Sequence, residues 1–268
     1  MKRVILILTL AIVSTSLALS QTIDKKDKKS RQNKPGQKSK FEEHRAKLKE
    51  QEALNTALIN ASKRGDEATV KNLLDSGAEV NAMIFRFGLR YAPDATGEVM
   101  TPLIYAASLG HIGIVKILLN RGADTEITDG NWTGRCRPGP KCGLTALIYA
   151  AVEGHTEIMK VLLEKGAKIN GRSPWGQTAL MLAAEVGELN VVRFLLEHGA
   201  DVNARDIYDL GGKTALMYAA RWGHVEIVQA LLDRGADFKI KTIDGDETAL
   251  FIAKFFDHTK SLSENSKC

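Results

Sequence analysis

The chain has 268 residues, 44% hydrophobic and 26% charged, a composition that fits an ordinary globular protein and excludes a disordered or fibrous one. Its net charge of +5 sits at the front: residues 1–40 carry ten Lys/Arg and two Asp, which leaves 27 basic and 30 acidic residues over 41–268. So mildly acidic a body lacks the basic face that a nucleic-acid-binding domain requires.

The opening run MKRVILILTLAIVSTSLALSQ has the three parts of a secretory signal. Lys2 and Arg3 form the charged region, Val4–Val13 the apolar run, and Ala18 and Ser20 flank a cleavage point before Gln21. Residues 1–20 are therefore expected to direct export to the periplasm or the exterior. The alternative is an uncleaved inner-membrane anchor, although Val4–Leu19 is shorter than the ~20 residues a spanning helix needs. Residues 21–40 form a basic arm; its stretch DKKDKKSRQNKPGQKSK has no aliphatic or aromatic side chain and is expected to remain a disordered spacer.

From residue 41 the chain turns helical, with FEEHRAKLKEQEALNTALINASKRGD, and one pattern then recurs. It reads TPLIYAASLGHIGIVKILLNRGAD from Thr101, TALIYAAVEGHTEIMKVLLEKGAKIN from Thr145, TALMLAAEVGELNVVRFLLEHGADVN from Thr178 and TALMYAARWGHVEIVQALLDRGADF from Thr214. A degenerate first copy begins near residue 54, with Thr56 in the threonine position, and a truncated last copy, TALFIAKFFDH, begins at Thr248. Each threonine suits a helix N-cap. Leu147, Ala150 and Ala151 fall on one helical face, and Ile158, Val161 and Leu162 on the apolar side of a second helix. Gly154 and Gly166 close the two helices. Each unit is a helical pair too thin to bury its own face, so neighbouring units must supply the core.

The pattern resembles the ankyrin repeat over about residues 54–260. The resemblance implies an all-α solenoid of about six stacked helix-turn-helix repeats with β-hairpin fingers, occupying residues 41–260 and followed by a tail, 261–268. The family's usual Thr–His pair is absent, because Ile104, Ile148, Met181, Met217 and Phe251 stand where the histidine would be. The missing second helix of the last copy leaves its cap incomplete, and Phe255 and Phe256 are expected to be partly buried there. His111, His155 and His224 are expected to be structural turn residues.

The threonines at 56, 101, 145, 178, 214 and 248 are spaced by 45, 44, 33, 36 and 34 residues. Against a period of about 33, the first two connections carry insertions. In the first, Phe85, Phe87, Leu89 and Tyr91 alternate with Arg86, Gly88 and Arg90, the pattern of an extended hairpin with one apolar face. The second, GRCRPGPKCG, places Cys136 and Cys142 six positions apart. In an exported protein a disulfide between them is favoured over free thiols and would be worth roughly 2.4 kcal/mol. Four zinc ligands are not present in this stretch. Cys268 is left over and could link chains. Arg135, Arg137 and Lys141 would join Arg86 and Arg90 in a basic patch.

In ankyrin-like repeats the two residues after the Ala-Ala pair, and the finger residues before the next threonine, face a concave binding surface. Here these are Glu153, Glu185, Arg221 and Trp222, with Trp132, Trp175 and Tyr208 on the fingers. Trp, Tyr and Arg are the usual anchors of protein interfaces. The sequence contains no catalytic, metal or phosphate-cradling motif, so no enzyme activity, cofactor or metal is expected. The expected function is to bind a protein partner, as a monomer; small exported bacterial proteins of this kind support a periplasmic enzyme such as catalase or act as effectors on host proteins. A membrane-tethered scaffold is the alternative.

Overall fold

A computed structural model describes residues 35–83, 100–129, 143–207, 211–243, 245 and 247–255, with side chains from residue 42 onward. The described residues up to 50 and those from 51 onward belong to two units. The described residues form eleven helices. The first, α1, spans Pro35–Arg64. It starts inside the segment read from sequence as a solvated arm, because Pro35 suits the first turn of a helix and FEEHRAKLKEQEALN contains no breaker. Within residues 42–50 every side chain is exposed, and Lys47 pairs with Glu43 one turn back at 2.8 Å.

In the larger unit the helices alternate between two layers. The inner layer is α3 (Pro102–Ser108), α5 (Ala146–Val152), α7 (Ala179–Val186), α9 (Ala215–Trp222) and α11 (Ala249–Phe255). The outer layer is α2 (Glu67–Asp75), α4 (Ile112–Asn120), α6 (Thr156–Glu164), α8 (Leu189–Glu197) and α10 (Val225–Asp233). Each inner helix packs on the next inner helix, and each of α3, α5, α7 and α9 on the outer helix that follows it. Alanine makes the inner contact possible: Ala106, Ala107, Ala150, Ala151, Ala183, Ala184, Ala219 and Ala220 are fully buried, so neighbouring backbones lie close together. Ile114, Leu118, Ile158, Leu162, Val192, Leu195, Ile227 and Leu231 complete a continuous core from the outer layer.

The predicted caps form. Thr101, Thr145, Thr178, Thr214 and Thr248 each accept from the backbone N–H three residues on, at 3.2–3.4 Å. Thr56 does not cap. It lies inside α1, and its hydroxyl donates to the Glu52 carbonyl at 2.7 Å. The helical signal upstream of Thr56 is unbroken, so no helix begins there. The three histidines are turn residues, each opening an outer helix. The rings of His111 and His224 reach back to the preceding repeat, donating to the Lys63 and Glu185 carbonyls at 3.3 and 3.1 Å.

Among the described residues the strand pairing is one isolated bridge, Thr128 with Thr145. What recurs is a closing pair at the base of each of the four fingers after residue 128. Asp129 donates its N–H to the Leu144 carbonyl, Ser173 to Gln177, Asp206 to Lys213 and Thr242 to Glu247, at 2.9–3.0 Å. In the first three, the side-chain oxygen of the same residue accepts the returning N–H at 2.8–3.2 Å. These pairs span 15, 4 and 7 residues. The base is constant while finger length varies. The second insertion thus lies wholly beyond Asp129 and Leu144, and Cys136 and Cys142 fall outside the described residues.

A second ladder joins repeat to repeat. Asn55, Asn81, Asn170 and Asn203 accept the backbone N–H of Glu79, Asp124, Asp201 and Asp237, at 2.8–3.0 Å. Glu126 does the same for Lys168 at 3.1 Å.

The caps lead to a paired expectation. Thr178→Ala lowers unfolding stability by about 1 kcal/mol, the usual loss for an N-cap, whereas Thr56→Ala changes it by no more than about 0.5 kcal/mol. Urea unfolding followed by circular dichroism checks both.

Candidate functional site

The inner helices end in a row of side chains that the repeat framework does not need. After each Ala-Ala pair come Ser108 and Leu109, Val152 and Glu153, Glu185 and Val186, Arg221 and Trp222, then Phe255. Leu109, Glu153, Val186, Arg221, Trp222 and Phe255 are exposed, and Glu185 is half-buried. Among its apolar side chains the two aromatics are the most open, Trp222 at 54% and Phe255 at 73%. Phe255 is therefore not packed into a terminal cap as the sequence suggested, since no further helix among the described residues covers α11. Phe256 lies outside the described residues.

At this end the row borders a cleft of about 210 Å³ between α9 and α11. Its lining is Lys213, Met217, Tyr218 and Arg221 on one side and Glu247, Phe251, Ile252 and Phe255 on the other. The Arg221 guanidinium lies 6.0 Å from the Trp222 ring centroid, at the outer limit of a cation–π contact. Glu185 on α7 is near enough for its negative charge to help hold the Tyr218 phenol protonated. Arg221, Trp222 and Glu185 thus come together on adjacent helices, and Glu153 sits one repeat further along at the end of α5. The cleft offers apolar walls with a positive charge on one side and a negative charge on the other, which suits a peptide-like surface rather than a metal. Among the described residues no group of His, Cys, Asp or Glu could hold a metal ion.

Trp175 belongs to the finger layer. It is half-buried, and its carbonyl accepts the Ile207 N–H at 2.9 Å, tying two successive fingers together. The approach is close: a Cβ on Gly176, whose φ is +77°, would lie 2.8 Å from the Ile207 nitrogen. Arg172 spans the same gap, donating to the carbonyls of Gly176 and Arg205 at 3.0 and 2.6 Å. Arg205 repeats the arrangement one finger on, to Gly212 and Lys241 at 3.1 and 2.6 Å. Trp132, Tyr208, Arg86 and Arg90 lie outside the described residues.

Two buried polar pairs support the fingers, and no local sequence pattern points to them. Tyr149 donates its hydroxyl to Asp129 at 2.6 Å, and Tyr218 donates to Asp206 at 2.6 Å. The same aspartates close the finger bases, and Asp129 also accepts from the Gly143 N–H. Gln177 adds a donor to the Tyr218 oxygen at 3.2 Å. Burial pushes the Asp206 carboxyl above its ordinary pKa, while the hydrogen bonds from Tyr218 and Lys213 pull it back down. Burial, then the Asp206 contact, raise the Tyr218 phenol well above its usual pKa. Where the tyrosine position holds Leu182 or Ile252, the finger base holds Ser173 or Thr242 instead of aspartate.

A family model described as "Ankyrin repeats (3 copies)" matches residues 42–129, 131–206, 172–242 and 205–263. The protein named "Ankyrin repeat, SAM and basic leucine zipper domain-containing protein 1" of Oryctolagus cuniculus is 39% identical over 75 residues, 28% of this chain and 13% of that protein. Its counterpart in Equus caballus is 41% identical over 80 residues, 29% of this chain and 14% of that protein. The chain thus spans about a seventh of the length of these curated relatives.

Replacing Tyr218 by Phe leaves both an Asp206 oxygen and the Gln177 amide short of a partner, at a cost of about 1–3 kcal/mol at neutral pH. The tyrosine bond stabilises the ionised Asp206, so without it the folded-state pKa rises further. A carboxyl raised in the folded state contributes stability at low pH that is lost as pH rises through that pKa. The penalty for Tyr218→Phe should therefore be smaller at pH 4 than at pH 7, which paired denaturation curves at the two pH values will show.

Proposed function

We propose, for a chain that belongs to the ankyrin-repeat family, that it binds a protein partner without catalysis through the row at the end of its inner helices. Ankyrin repeats are protein-interaction modules, and the single observation that supports this placement is the contrast along each inner helix. The framework positions, from Leu147 to Ala151, Leu180 to Ala184 and Leu216 to Ala220, are buried, whereas the next two residues vary from repeat to repeat and at least the second of them, Glu153, Val186 or Trp222, is exposed. Arg221 and Trp222 are the anchors beside the cleft, Glu185 and Glu153 extend the surface along the row, and Trp175 bounds it on the finger side. The partner meets this surface outside the cytoplasm, in the periplasm or the exterior, as the leader-like first twenty residues suggest. Cys136 and Cys142 join as a disulfide that shortens the second insertion.

Two measurements test this reading. Affinity capture from the compartment where the protein accumulates should yield a partner whose recovery falls at least tenfold with Arg221→Ala and Trp222→Ala together, about 1.4 kcal/mol or more. Equal recovery by wild type and variant would remove the row from the binding surface. The intact mass of protein expressed with its own leader should begin at Gln21, with two cysteines alkylated only after reduction. A mass that begins at Met1 in a salt-resistant membrane fraction would favour the tethered scaffold.

A further inference from the structure

The stack ends on an apolar face. Leu147, Leu180 and Leu216 are at most 2% exposed because the next inner helix covers them, but their counterpart Leu250 is 42% exposed. Ile148, Met181 and Met217 are 1% exposed, and their counterpart Phe251 is 51%. Phe238, which corresponds to the half-buried Val202 and Ile169, is 54% exposed for the same reason. On the buried side of α11, Ala249, Ile252 and Ala253 pack against the stack, so Leu250, Phe251 and Lys254 form the outward face.

Lys254 decides what can lie there. In the four preceding repeats this position is a fully buried alanine, Ala107, Ala151, Ala184 or Ala220, over which the next helix passes in parallel. A lysine at that point blocks another helix in the same register. An antiparallel helix related by a two-fold axis between positions 250 and 251 meets no such conflict. That axis sets Leu250 against Phe251 of the other copy, and Lys254 against Glu247 of the other copy. Glu247 directly precedes the capping Thr248, four residues before Phe251, is exposed, and lines the cleft with Phe251 and Phe255. The face is thus self-complementary in both shape class and charge, which is what an isologous contact demands.

We propose that two copies of this chain associate back to back through α11, with Leu250 and Phe251 at the centre and two Lys254–Glu247 pairs at the rim. The sequence alone favoured a monomer, with Cys268 as a possible link between chains. Leu250 and Lys254 lie outside the cleft while Phe251 and Glu247 also line it, so the contact borders the groove. A patch built mainly on one helix and Phe238 is small, so the dimer has a Kd on the order of micromolar.

Sedimentation equilibrium tests this on the full chain carrying Cys268→Ser under reducing conditions, so that no disulfide can link copies. The wild-type face gives a reversible monomer–dimer equilibrium. Leu250→Glu gives monomer, with an unchanged far-ultraviolet spectrum showing that the stack is folded. Lys254→Glu alone weakens association at least tenfold, and adding Glu247→Lys to it restores dimer. A chain that remains monomeric up to about a hundredfold the proposed Kd overturns the proposal. So does one that dimerises only after residues 256–268 are removed, which would place the tail on this face. Equal dimerisation by Leu250→Glu and the wild-type face would locate the contact elsewhere.

Discussion

Everything in the larger unit follows from how little a two-helix hairpin can bury. A pair such as α5 and α6 has one apolar side facing each neighbour and none to itself, so its core exists only when repeats stand on either side. Alanine at two successive positions of the inner helix lets those neighbours approach to backbone distance, and this is why Ala150, Ala151, Ala183 and Ala184 are sealed while the residues that follow them are free to vary. The side chains released from packing at the end of each inner helix, Glu153, Glu185, Arg221 and Trp222, become the surface available to a partner. The same rule leaves the last helix with an uncovered face, because α11 has a neighbour on one side among the described residues.

A stack of this kind must also absorb unequal connections, and the finger bases show how. One residue closes each finger with a backbone bond, and in three of the four with a side-chain bond as well. Asp129, Ser173 and Asp206 make both bonds although their fingers return after 15, 4 and 7 residues. Longer loops cost little additional closure entropy once the ends are fixed. The aspartates do more than serine does in this role, because each also takes the hydroxyl of a buried tyrosine from the following inner helix. Tyr149 and Tyr218 follow the connections that exceed the repeat period by eleven and three residues, while Leu182 follows one of ordinary length. The enlarged fingers before Thr145 and Thr214 are thus tied to the stack by a tyrosine–aspartate hydrogen bond that the plain one before Thr178 lacks.

Much of this was legible in the residues. The period recurs every 33–45 residues in plain sight, and the capping threonines from Thr101 onward, the buried alanines and the histidine turns are local signals, all read within a dozen positions of one copy. Thr56 misled because a cap is defined by where a helix begins, and nothing in FEEHRAKLKEQEALN stops one. Phe255 misled because burial depends on a neighbour that the last repeat does not have. The Asp–Tyr pairs were invisible for a different reason: their partners are 20 and 12 residues apart, and the variable finger lies between them, so no fixed spacing marks the contact. The asparagine ladder joins residues 24 to 43 apart and was hidden in the same way. For the proposed binding row, the positions could be read from the repeat, but the bringing together of Arg221, Trp222 and Glu185 beside a cleft required the structure.

The central claim is that a constant frame carries its insertions without depending on them. It is tested most directly by replacing residues 130–142 with a Gly-Ser linker of equal length and measuring urea unfolding of the reduced protein beside wild type. The account predicts a single transition with the same midpoint and the same slope, because Asp129, Leu144 and Tyr149 still close the base. A shallower slope, or a midpoint displaced as far as the loss of the Asp129 carboxylate displaces it, would mean that the insertion is part of the frame and would contradict the account.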